Sequence, residues 1–412
     1  MRVERTSTSF DSTPLPTQPL LMEDVKAHLA DKVQDLSDLE LAALTCLIAG
    51  EHCIVYAPKE SLNAAADELQ TAWPPKATTY FSTNAVQIAS NTFGLSCAIS
   101  ECDEKTTVDD FGLGLLVDDE DEGDDGAFKG LPRFTWAKDL RSQQDHGVRN
   151  HNQQVYGSHS ERRKIANVAV VKNLNIASQH VQIQALELIR GKRIFTRTAF
   201  HTAPKRFLFI ALLPIEDEFR LISQLNDHMF ISHSHLGDEE ADLDVLPDSS
   251  RLGNASESSI IRSSSIIPGT DRSASRGSSV HAPVITKLDI DYLINATSSV
   301  RLDSEVRSYL HNVVIFLRTH RAVGGGVSAL ATRHLLSLAH VLAPLHSLNY
   351  VTPSLVALAA KKIYPHRVVI TTAENERSTM WGSSAGMVAE FLDGLAVEDV
   401  IDDVLASVET PL

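Results

Sequence analysis

A helix with both ends written into its sequence constrains this chain most. Thr352 can accept a hydrogen bond from the free N–H groups of a first helical turn, and Pro353 suits the first helical position, where an N–H would have no partner. Leu355, Leu358, Ala359 and Lys362 follow at helical spacing, and Pro365 stops the run because it cannot continue a helix. The spacing predicts a helix over 353–364. Two further helical stretches precede it, Asp303 to Arg321 and Ser328 to His346, and a last one runs from Val397 to Val408. Residues 286–412 are therefore expected to form a helical domain.

The first half of the chain alternates instead. Glu23 to Ile48 reads as helical, with Leu36, Leu39, Leu44 and Leu47 on one apolar stripe. A short apolar strand, Cys53 to Tyr56, comes next, then a helix over Asn63 to Ala72 and a strand over Ser96 to Ile99. Asn167 to Val171 is a continuous apolar strand of the kind buried on both faces. A helix from Ala177 to Arg190, a short hairpin around Ile194 to Thr198 and a strand from Arg206 to Leu213 complete the pattern. Strands alternating with helices predict a parallel sheet in an α/β layer fold. With 412 residues, 43% of them hydrophobic, the chain can bury a sizeable core.

Composition marks the interruptions. Residues 1–19 are rich in Ser, Thr and Pro and are expected to be unstructured. Within a core over 20–236, residues 103–164 carry the acidic run Asp118 to Asp125 and a polar tail, and read as a mobile insertion. Residues 237–285 have the Ser-, Asp- and Gly-rich composition of a disordered linker.

The helix over 353–364 and its flanks resemble the C-terminal lid of MoxR and magnesium chelatase I-subunit AAA+ ATPases. The matching residues are Tyr350-Val351-Thr352-Pro353, Val356-Ala357-Leu358-Ala359 and the closing His366-Arg367. Leu47 to Tyr56 is similar to the family's first strand, Val168 to Val171 to its second nucleotide strand, and Phe207 to Ala211 to the third. The resemblance implies an AAA+-like parallel-sheet αβα core with a C-terminal helical lid. It also implies a nucleotide site, which the residues can be asked to supply.

A phosphate loop needs glycines that let backbone N–H groups surround the phosphates, a lysine, and a hydroxyl for Mg²⁺. The corresponding run here, Ala57-Pro58-Lys59-Glu60-Ser61-Leu62-Asn63, has no glycine. Where the family carries Asp-Glu after the second strand, this chain has Lys172-Asn173, and neither a charged lysine nor an asparagine can ligate Mg²⁺ and activate water. Leu213-Pro214 stands for the family's Asn-Pro. His228, in Leu225-Asn226-Asp227-His228-Met229, stands where the family places an arginine for its neighbour. Leu330 occupies the lid's sensor-arginine position, with Arg333 one turn later. The expectation is a catalytically inactive AAA+-like protein with no catalytic residues, no cofactor and no resident metal. It would act as a binding or assembly subunit beside an active AAA+ ATPase or in a homo-oligomer. The alternative is a MoxR or magnesium chelatase-type ATPase subunit with a divergent nucleotide site, its ATP hydrolysis driving metal insertion or partner remodelling; Lys59, Ser61 and Arg333 would then hold the nucleotide, and no residue stands out as the Mg²⁺ ligand.

Other features weigh less. His228, His233 and His235 precede Asp238 to Glu240 but straddle a strand end and linker-like sequence, a poor frame for a metal. The acidic run would place Lys129 at the twelfth position of a Ca²⁺ loop, where a bidentate Glu is required. Gly324-Gly325-Gly326 lacks the Lys-Ser/Thr of a phosphate loop and reads as a hinge. Arg262-Ser263-Ser264-Ser265 and Arg272-Ser273-Ala274-Ser275 suit basic-directed kinases. A formal net charge of -16 argues against a general nucleic-acid or membrane-surface binder. Cys46, Cys53, Cys97 and Cys102 follow no metal-ligand spacing and fit a reducing compartment, cytoplasmic or nuclear.

Overall fold

A computed structural model describes residues 29–59, 62–63, 65–66, 93, 95–118, 163–197, 199–216, 220–235 and 285–411. Expectations for 1–19, 119–162 and 237–284 lie outside the described residues. The first half comprises α1 (Asp38–Ala49), β1 (Cys53–Ala57), β2 (Cys97–Glu101), α2 (Val108–Gly114), β3 (Leu116–Asp118), β4 (Arg163–Ile165), β5 (Val168–Lys172) and α3 (Gln179–Gly191). After these come β6 (Arg193–Phe195), β7 (Phe200–Thr202), β8 (Leu208–Pro214), α4 (Ser223–His228) and β9 (Ile231–Ser234). The C-terminal part holds α5 (Lys287–Ser299), α6 (Ser304–Thr319), β10 (Val323–Gly325), α7 (Ala329–Leu345), α8 (Pro353–Ile363), β11 (Val369–Ile370), α9 (Ala385–Leu392) and α10 (Val397–Ser407).

The central sheet runs β2-β5-β8-β1-β9, with every neighbouring pair parallel. Its period-two alternation feeds two cores. Cys53, Val55, Val168, Val170, Leu208, Ile210 and Leu212 face one side. Ile54, Ala169, Val171, Phe209, Ala211 and Leu213 face the other, where Phe111, Val181 and Leu225 of α2, α3 and α4 cover them. Burial on both faces is why these strands read as unbroken apolar runs. The first core does not end at the sheet. It continues through α1 into α5, α6, α7, α8 and α10, so one apolar cluster joins the sheet to the C-terminal helices.

Two expectations need correction. The helix expected over Glu23 to Ile48 is broken at 35–37. Ser37 accepts from the Glu40 N–H and the Glu40 carboxylate accepts from the Ser37 N–H, a reciprocal cap that starts α1 afresh. Residues 103–118, read as the start of a mobile insertion, are ordered instead. Thr107 caps α2 through Asp110, and Phe111 and Leu115 are buried beneath the sheet's second face. The helix over 353–364 forms as its caps dictate, with Thr352 Oγ1 accepting from the Leu355 N–H. The helices α4, α5 and α9 were not anticipated.

Gly326 ends β10 at φ +97, a conformation that costs residues with a Cβ about 1–2 kcal/mol. A Cβ there would also lie 1.9 Å from the Arg367 carbonyl oxygen, and backbone cannot swing away. Gly50, the αL cap of α1 at φ +70, has nothing within 4 Å of its missing Cβ. Gly50→Ala is therefore expected to cost about 1–2 kcal/mol, and Gly326→Ala distinctly more, on the order of 4 kcal/mol or above. Urea denaturation of both variants checks the difference; equal losses would mean that the approach of residue 326 to Arg367 is not a constraint.

Candidate functional site

In a parallel α/β sheet, ligands sit outside the carboxyl ends of the strands. At that edge β1 runs into Pro58, which has no N–H, and then Lys59. The Lys59 N–H donates to both carboxylate oxygens of Glu216, each at 3.2 Å. A carboxylate of the chain itself thus occupies the amide that the family resemblance would turn toward a phosphate. Lys172, at the end of β5, sends its ammonium to Asn63 Oδ1 at 2.9 Å and lies 3.3 Å from Glu101 Oε2, at the end of β2. Asn173 turns the chain at φ +56, and its N–H donates to the Leu212 carbonyl. Pro214 aligns with Ala57 at the end of β8. An ammonium already paired with Glu101 stands where a Mg²⁺ ligand would be needed, so the described donors do not fit a metal–triphosphate.

The structure does not bring Lys59 and Arg333 together. Lys59 follows the carboxyl end of β1, a strand that itself spans about 16 Å. Arg333 is exposed on α7, and its charge acts on Glu51, which precedes the amino end of β1. Ser61 lies outside the described residues. The histidines also separate: His228 ends α4 before β9, whereas His235 follows β9. Among the described residues no group of three or more His, Cys, Asp or Glu could hold a metal ion.

The best-built polar site lies at the opposite edge, where α4 meets the C-terminal helices. Arg367 follows α8 with its side chain 1% exposed. Its guanidinium donates to Asp227 Oδ1 at 3.2 Å, His334 Nδ1 at 2.6 Å, His366 Nε2 at 3.1 Å and the Met229 carbonyl. Asp227 Oδ1 also accepts from Ser328 Oγ at 2.6 Å, and the same Ser328 caps α7 through the Ala331 N–H. Asn226 Nδ2 donates to the His366 carbonyl at 2.6 Å. Asn226 and Asp227 at the end of α4, and Met229 just after it, are thereby tied to the C-terminal region. Sequence reading placed Asp227 and His366-Arg367 in motifs and Ser328 at a helix start, but it missed the contacts between them and singled out neither Glu216 nor His334, because nothing in local spacing reports a contact 140 positions away.

Burial sets the electrostatics here. It lowers His52 and His334 to about 3, and nearby cations push the same way: Lys192 on His52, Arg367 on His334. Burial also carries His366 well below the usual imidazole range. Neutral rings fit the geometry. His52 Nδ1 accepts from the Phe209 N–H, and His334 Nδ1 accepts from Arg367 while its Nε2 faces Glu51 Oε2 at 3.8 Å. Burial lowers Arg367 itself to about 10, opposed by the charge of Asp227. Burial raises the Glu51 carboxyl, with Lys192 the largest opposing charge.

Comparison with known proteins agrees with this architecture. The AAA lid domain family matches residues 315–382, a span that includes Ser328, His334 and Arg367. YeaC of Bacillus subtilis (strain 168), an uncharacterized protein, is 27% identical over 130 residues, 32% of this chain and 36% of that protein. Maintenance of telomere capping protein 2 of Lachancea thermotolerans is 30% identical over 108 residues, 25% of this chain and 38% of that protein. The matches span 36% and 38% of the lengths of these curated relatives. A crystal structure from Cytophaga hutchinsonii ATCC 33406, provisionally described as an ATPase, aligns over 95% of this chain and 99% of its own at a TM-score of 0.57 and 12% identity. The fold is α/β and AAA+-like, with a parallel central sheet and an AAA lid.

Two outcomes follow from the junction. Imidazoles near 3 when folded and about 6.5 when unfolded mean that the unfolded chain binds more protons between those values. Stability is complete above about pH 6.5 and drains toward pH 3, at about 1.4 kcal/mol per pH unit for each histidine. Urea midpoints at pH 7.5, 6 and 5 should fall accordingly, and a flat profile would show that the rings are not held neutral. Asp227→Ala leaves the Arg367 charge buried without its carboxylate and should cost about 3–5 kcal/mol; a loss under about 1 kcal/mol would mean the pair is not what holds the junction.

Proposed function

We propose that this AAA+-like chain is a catalytically inactive binding or assembly subunit. The observation that carries the reading is the Glu216 carboxylate on the Lys59 N–H. A triphosphate placed there would meet like charge where the family resemblance calls for backbone donors. Each pair of unit charges about 4 Å apart costs about 4 kcal/mol at an effective dielectric of 20. Lys172 brings a positive charge, but Glu101 and Asn63 engage it. The charge that a phosphate would need is therefore neutralised within the protein.

The lid supports the same reading. An AAA+ motor converts nucleotide binding into lid movement, whereas here one apolar cluster and the Arg367 junction fasten the lid-like helices to the sheet. Such a body suits rigid presentation of surfaces to a partner, an active AAA+ ATPase or another copy of the chain. Mixing purified protein with labelled ATP and Mg²⁺ tests the proposal. No binding at micromolar nucleotide is expected. Micromolar binding with turnover that Lys59→Ala abolishes would replace this reading with that of an ATPase of divergent site.

A further inference from the structure

We propose that α9 and the turn before it are a docking surface for a basic amphipathic helix of a partner protein. α9 reads Ala385-Gly386-Met387-Val388-Ala389-Glu390-Phe391-Leu392, so Glu390 is its only charged side chain. A helix that is apolar almost all round is ordinarily buried, because it has no polar side to turn to water. Here Val388 alone is buried, and Leu392 packs partly against the first core, so one stripe is anchored. Met387 and Phe391 stand four residues apart and therefore share a second stripe. That stripe faces water, with the two side chains 74% and 45% exposed. Just upstream, Trp381 closes a short 3-10 turn at 91% exposure, and Gly382 redirects the chain at φ +95. The Arg321 guanidinium lies 4.6 Å from the Phe391 ring centroid and is itself held by Glu376, which braces the ring from one side.

The charge around this face selects the occupant. Residues 378–412 hold seven carboxylate side chains and no Lys, Arg or His. Asp402 pairs with Lys361, Asp403 meets the His320 ring, and Asp399 accepts from the Ala396 N–H ahead of α10. Glu390, Asp393 and Glu398 are exposed, and among the described residues no ion pair engages them. An apolar stripe edged by unpaired carboxylates fits a helix whose apolar face is flanked by Lys and Arg. Such a helix would cover Trp381, Met387 and Phe391 while its cations meet the acids. A second copy of the chain would instead bring the same carboxylates against each other. A helix lying on a membrane carries Lys or Arg on its polar side, and α9 has neither. No residue of the Lys59 edge takes part, so helix binding and nucleotide binding succeed or fail separately.

The test is fluorescence anisotropy of a labelled synthetic Leu/Lys peptide of about 18 residues, five helical turns, patterned with one apolar face and titrated with the full chain. Saturable binding at micromolar protein is expected, weakening as salt rises. The double variant Trp381→Ser, Met387→Ser removes exposed apolar area only, and should weaken binding about 10- to 100-fold with an unchanged melting curve. Glu390→Lys with Asp393→Lys should weaken it at least about threefold at low salt. Absence of saturable binding, equal binding of a scrambled peptide of the same composition, or equal binding of a Leu/Glu peptide of the same pattern would each overturn the proposal. Self-association of the chain, or its uptake by phosphatidylcholine vesicles, that the serine pair abolishes would overturn it in favour of a second copy or a lipid surface.

Discussion

The Arg367 guanidinium is the interaction on which the arrangement of this protein depends. Stripping a cation of water is costly, and in a protein interior it persists only when every donor finds an acceptor. Here the acceptors come from three places: Asp227 and the Met229 carbonyl in the α4–β9 connection, His334 on α7, and the adjacent His366. None of these positions can shift independently without leaving a buried charge unsatisfied. The neutral state of His334 is part of the same arrangement, because its Nδ1 accepts from Arg367 and a proton there would oppose the guanidinium. Gly326 completes the fit by letting β10 pass against the Arg367 backbone.

Much of the fold was legible because its strands are buried on both faces and its lid helices carry their own caps. Val168 to Val171 could only be an interior strand, and Thr352-Pro353 could only open a helix. The Ser37–Glu40 cap was also present in the letters, yet an uninterrupted apolar stripe outweighed it, and one long helix was expected where two occur. Residues 103–118 were overlooked for the opposite reason. The acidic run that follows dominates the composition, while the ordered part rests on only a few apolar anchors such as Phe111 and Leu115. At the site, absent glycines and acids could be read directly. What replaced them could not, since Glu216 reaches Lys59 across 157 positions and Asp227 reaches Arg367 across 140.

The two edges of the sheet have been used differently. At the carboxyl edge short-range charge is cancelled internally, by Glu216 on a backbone amide and by Glu101 on Lys172. At the amino edge charge is buried outright and locked by geometry.

The segment Leu225 to Met229 bears most directly on the proposed role. By resemblance it is the stretch that would extend a cation toward a neighbouring subunit. Here Leu225 and Met229 are buried, Asn226 and Asp227 bind the lid, and the His228 ring lies 2.9 Å from the Gln224 carbonyl of its own helix. An Asp227 carboxylate committed to holding Arg367 and Ser328 within the chain is not available to reach across to another subunit.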